Sequence, residues 1–171
     1  MRALHEYRHV PGCSIYIDAN IFLHVILNHP QYSAPCRDFL VRVERGDISA
    51  TISPFVVDEV AYKIVIEKLK PVLSLTSNLQ VLKRIKKSPQ ILTIVRPELL
   101  AFLAVLVSYK GLRILNIPSQ VAVQSLQSIS NDRLLPRDAS HLAVMRAYSI
   151  TDLATSDYDF KHVKGIRVWM P

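Results

Sequence analysis

A chain of 171 residues, half of them apolar and with a mean hydropathy of +0.20, is long enough for one good core and too apolar for disorder. Four glycines without a Gly-X-Y period exclude a fibrous protein, and two cysteines outside any CxxC pair, Cys13 and Cys36, exclude a disulfide scaffold. Lys plus Arg number 21 against 14 Asp plus Glu, for a net charge of +7 and a pI near 9.6, which favours phosphate-rich partners, nucleic acid first and anionic membrane second.

In chain order, Ser14 to Asp18 reads as a short buried strand ending in a carboxylate. Residues 20–27 have helical character, stopped by Asn28-His29-Pro30. Residues 32–45 form a second helix. Its Cys36, Phe39, Leu40 and Val43 fall at i, i+3, i+4 and i+7, and Gly46 closes it. Ile48 to Ile52 is a strand, and Ser53-Pro54 opens a helix to about Lys70 by pairing an N-cap with a proline at N1.

Further helices are predicted over 73–87, from Pro97 to before Gly111, over 118–129 and over 136–147. Short strands are predicted at 113–116, 153–155 and 166–169. Short apolar strands alternating with helices predict a parallel sheet covered on both faces, within one domain spanning 1–171 that carries a helical elaboration at about 73–118. The run Leu99–Val107 is apolar all round its helix but bounded by Arg96, Glu98 and Lys110, too short for about 30 Å of hydrocarbon. With no apolar signal run at the N-terminus, the expectation is a cytoplasmic protein without a membrane partner.

Walker, GxGxxG, GxSxG and HExxH motifs are absent. Four carboxylates stand at element junctions instead. Asp18 ends the first strand, Glu59 lies one turn inside the helix opened by Ser53-Pro54, Asp138 lies in the first turn after Pro136, and Asp157 follows a strand. Each also has a local reading. Asp18 suits an N-cap, Glu59 an i,i+4 pair with Lys63, Asp138 the helix dipole and Asp157 a turn. In a parallel sheet, however, strand ends and facing helix starts share one edge. Four carboxylates converging there need compensation by a hard cation, Mg²⁺ or Mn²⁺, and on a basic chain this suggests phosphodiester hydrolysis.

Four segments also resemble, in order, the acidic motifs of PIN-domain nucleases: Tyr16-Ile17-Asp18-Ala19-Asn20, Val57-Asp58-Glu59-Val60, Pro136-Arg137-Asp138-Ala139-Ser140-His141 and Ala154-Thr155-Ser156-Asp157-Tyr158-Asp159. The resemblance spans about residues 14–169 and is nearest to VapC-type toxin endoribonucleases. It implies a helix-rich three-layer α/β/α fold with four to five short parallel strands. It implies Asp18, Glu59, Asp138 and Asp157 as the catalytic metal shell for Mg²⁺ or Mn²⁺, an RNA substrate, a homodimer and an antitoxin partner.

Asn20, Thr155, Ser156, Asp159 and Arg137 are weaker candidates for substrate or supporting contacts. Asn20 would orient Asp18 or meet phosphate, Asp159 is a spare carboxylate, and Arg137 is placed to rim the cleft. His141 reads as a packed core histidine or a general base. Ala19 stands where the family often has a hydroxyl residue, and the chain is longer than most such toxins. That length leaves room for an RNA-processing factor or a non-cleaving binding module. A receiver-type domain fits poorly, because no acidic pair precedes Asp18.

Overall fold

The computed structural model describes residues 1–171. Six strands form one sheet: β1 (Arg2–Ala3), β2 (Ile15–Ile17), β3 (Ala50–Ile52), β4 (Leu112–Ile114), β5 (Asp152–Ala154) and β6 (Arg167–Met170). Their order is β1-β6-β5-β2-β3-β4, with every neighbouring pair parallel. Seven α-helices accompany them: α1 (Ala19–Ile26), α2 (Ser33–Arg45), α3 (Pro54–Val72), α4 (Asn78–Lys87), α5 (Arg96–Ser108), α6 (Ser119–Asn131) and α7 (Pro136–Ala147).

All three residues of β2, β3 and β5 are buried, so helices cover both faces of the sheet centre, as the uninterrupted apolar strands require. Thirty-seven buried apolar residues join in a single cluster. Gly46 closes α2 at φ 86. Gly111 admits β4 beside β3, because a Cβ there would stand 2.1 Å from the Ile48 carbonyl oxygen.

Three expectations need correction. The sheet has six strands, not four to five: β1 was missed because two residues pairing only through β6 carry no periodicity. The helix expected over 73–87 begins at Asn78, since Ser74 is left-handed at φ 52 and ends α3. The apolar helix is longer than expected. A 3₁₀ segment, Pro89–Val95, runs into α5, making a helical run of 20 residues that is, by length and composition, long and apolar enough to cross a membrane. Phe102 is the only buried residue of α5, while Leu100, Leu103 and Val107 are 51%, 51% and 77% exposed.

The topology fixes where ligands can bind. From β2 the chain winds outward through β3 to β4, whereas β5 and β6 lie on the opposite side. The crevice beyond the carboxyl ends of β2 and β5 is therefore a switch point, where no connecting segment covers the strand ends.

Candidate metal centre

Asp18 follows β2 directly and precedes α1, yet its side chain makes no capping bond. Only 8% exposed, it takes two hydrogen bonds at Oδ2 instead. The Asn20 amide donates over 2.7 Å and the Thr155 hydroxyl over 2.6 Å. Asn20 Nδ2 also donates to Thr155 Oγ1 over 2.8 Å, and the backbone N–H of Ser156 donates to Asn20 Oδ1 over 3.1 Å. The Asp157 N–H completes the Thr155 hydroxyl at 2.9 Å. The ends of β2 and β5 are thus cross-linked around one carboxylate, with Asn20 bonded to both Asp18 and Thr155.

Glu59 is not paired with Lys63. Its Oε2 lies 3.5 Å from Arg137 Nη1 and 3.5 Å from His141 Nε2. The other arm of Arg137 reaches Asp58 at 3.5 Å. His141 is 1% exposed, and its Nδ1 is 2.9 Å from the Tyr16 hydroxyl, which is 2.6 Å from Ser53 Oγ. Ser53, Tyr16, His141 and Glu59 therefore form one chain of polar contacts from the end of β3 to the carboxylate. His141 is thus the packed, hydrogen-bonded core histidine of its first reading, with Glu59 at its outer nitrogen.

Asp138 sits in the first turn of α7. Asp157 caps the 3₁₀ turn Tyr158–His162 by accepting from the Asp159 N–H at 2.8 Å. Ligand-type atoms of Asp18, Glu59 and His141 lie within 4.8 Å of one another, and so do those of Asp138, Asp157 and Asp159. Asp18, Glu59, Asp138 and Asp157 all line one cavity of about 540 Å³. The Ser156 hydroxyl is 2.8 Å from Nε2 of His24, which lines the same cavity.

The electrostatics show crowding. Burial, followed by the charges of Asp157 and Asp18, pushes the Asp138 carboxyl up to about 6. Burial also raises Asp18, against the pull of His141 and Thr155. Burial would raise Glu59 too, but the His141 hydrogen bond and charge, with Arg137, hold it below its ordinary value. Acidic oxygens gathered in this way could hold a hard cation.

Sequence reasoning missed the cavity's other wall, made by His24, Leu27, Asn28 and His29, although Asn20, His24 and Leu27 recur at helical spacing. Nor does the sequence show the role of Asp152, which opens β5. Asp152 is 4% exposed and accepts from Arg167 Nε at 2.7 Å and Trp169 Nε1 at 2.8 Å, locking β5 to β6 at the end away from the carboxylates.

The PIN domain family model matches residues 15–166. Similar solved structures include VapBC2 from Rickettsia felis bound to a promoter DNA fragment, with a TM-score of 0.55 and 15% identity over 92% of this chain and 98% of that one. VapC20 of Mycobacterium tuberculosis, a toxin that cleaves the Sarcin-Ricin loop, has a TM-score of 0.57 and 15% identity over 89% and 96% of the two chains. A toxin-antitoxin complex from Klebsiella pneumoniae has a TM-score of 0.52 and 19% identity over 90% and 95%. No curated protein matches the chain in sequence.

Proposed function

We propose that this chain, which belongs to the PIN domain family, is a metal-dependent endoribonuclease and the toxin of a toxin–antitoxin pair. The observation that carries the reading is the meeting of Asp18, Glu59, Asp138 and Asp157, far apart in sequence, in one cavity of a chain with net charge +7. The toxin–antitoxin proteins among its structural neighbours support the choice of RNA as substrate and an antitoxin as partner.

The donor set fits Mg²⁺ or Mn²⁺. It offers carboxylate oxygens, and burial and mutual repulsion make those oxygens gain from a cation. Asp18, Glu59, Asp138 and Asp157 would hold the metal, with Asp159 beside the last two. When bound, a cation of this kind polarises a phosphodiester and activates water. Thr155 and Asn20 keep the Asp18 oxygen aimed, His141 holds Glu59, and half-exposed Arg137 stands at the rim where a phosphate would pass. Asn20 is committed to Asp18, Thr155 and Ser156, which favours orientation of Asp18 over phosphate contact. Residues 1–171 act as one domain in this reading, in the cytoplasm.

The exposed apolar face of α5 supports a homodimer. Such a dimer would put two acidic cavities in one basic assembly. The direct test is incubation of a mixed RNA pool with the protein, with and without Mn²⁺ or Mg²⁺. Metal-dependent internal cleavage is expected, and cleavage insensitive to EDTA would overturn the reading.

A further inference from the structure

Past the carboxylates, the cavity is walled by one face of α1 and the turn after it. Asn20, His24 and Leu27 lie at i, i+4 and i+7, so this face runs from the acidic end along the cavity. Asn28, left-handed at φ 53, turns the chain and brings His29 into the wall. Three rings meet there. His24 and His29 stand edge to face at 4.8 Å, and His29 stacks on Tyr32 at 4.8 Å and 15°. Tyr32 packs against the core and gives the His29 ring a fixed backing.

The hydrogen bonds decide what this wall offers. The backbone N–H groups of Gln31 and Tyr32 both donate to His29 Nδ1, each at 3.3 Å. That assigns the proton of the neutral ring to Nε2, which has no protein partner. The Asn28 side chain, exposed and also without a protein partner, adds an amide donor and acceptor. Leu27 and Pro30 add apolar surface. Lys63 is the only Lys or Arg lining the cavity, and it stands on α3. A phosphate subsite wants cationic donors, whereas a flat ring with an amide edge and a free N–H suits a nucleobase.

We propose that Asn28 and His29, backed by Tyr32, bind the nucleobase next to the phosphate that is cut and thereby set the base preference of the enzyme. The inference rests on the nuclease reading of the cavity, and its test separates the two. Short oligoribonucleotides differing in one base are titrated by fluorescence anisotropy into the Asp18→Asn protein, and the same RNAs are offered to the active protein with Mn²⁺. Affinity that depends on the base is expected. His29→Ala should lower affinity for the preferred RNA by roughly tenfold or more, as loss of one base–ring stack does. His29→Phe should restore affinity but alter the order of preference, because it keeps a ring and loses the Nε2 donor. The Mn²⁺-induced rise in Tm should be the same in these variants as in the parent, which separates recognition from folding.

Unchanged affinities and an unchanged order of bases in both His29→Ala and Asn28→Ala would overturn the proposal. If those variants also cut RNA as the parent does, the nuclease reading stands without it. Base-dependent binding lost in His29→Ala, in a parent that cuts no RNA with metal, would support the proposal and overturn the nuclease reading.

Discussion

The Thr155 hydroxyl donates to Asp18 Oδ2 over 2.6 Å, although 137 positions separate the two residues. Thr155 is fully buried at the end of β5 and Asp18 nearly so at the end of β2, so the bond fixes the carboxylate to the sheet itself and not to a loop. A carboxylate held this way keeps its direction when the surface moves.

That bond yields a pair of contrasting variants. Asp18→Asn is nearly isosteric and removes one charge from a crowded buried cluster. It should abolish cleavage while leaving the metal-free Tm equal or higher. Thr155→Val keeps the shape and removes the donor. It should lower metal affinity or activity by about 10- to 100-fold, the usual effect of losing a partner that orients a ligand. RNA cleavage rates and thermal melts on the two proteins check both statements. Retained activity in Asp18→Asn would remove Asp18 from the metal shell.

Tyr16→Phe tests the buried polar chain. It leaves Ser53 Oγ and His141 Nδ1 without their partner in the core. The expected cost is about 1–3 kcal/mol of stability, read from urea unfolding. Activity should fall as well, because His141 then holds Glu59 less firmly. A fully stable and active variant would show that the chain does not position Glu59.

The raised Asp138 carboxyl sets a pH dependence. A folded-state value of about 6 lies above the ordinary carboxylate value, so the folded protein binds this proton more tightly than the unfolded chain does. Without metal, the group's contribution to stability is present at low pH and is lost as pH rises through about 6. Metal competes with the same proton. The Tm rise caused by millimolar Mn²⁺ should therefore be large near neutral pH and small near pH 5, about one unit below that value. A hundredfold excess of metal over Kd corresponds to ~2.7 kcal/mol of stabilisation. A Tm rise independent of pH would place the bound metal elsewhere.

The face of α5 makes an assembly prediction. Leu103 is half exposed on a helix with a single buried residue. The wild-type chain should scatter light as a dimer, and Leu103→Glu should yield a folded monomer of 19.4 kDa. A wild-type monomer at micromolar concentration would refute the dimer. A dimer that survives the substitution would refute the role of α5.

Sequence by itself determined the alternation of apolar strands and helices, and with it a parallel sheet covered on both faces. Unbroken runs such as Ile15-Tyr16-Ile17 have no polar face to show to solvent. It also determined the four acidic junctions, because a carboxylate after a buried strand or in a first helical turn has a fixed place at the sheet edge. Tertiary structure decided the partners. Sequence spacing offers Glu59 the i+4 partner Lys63, and only the packing of α7 makes Arg137 and His141 its neighbours instead. Asp152 differs from a turn aspartate only once β6 brings Arg167 and Trp169 beside it. The exposure of α5 was equally hidden, since an apolar helix looks the same in sequence whether its own chain covers it or leaves it open. Local periodicity states which faces are apolar, whereas long-range packing decides which of them meet.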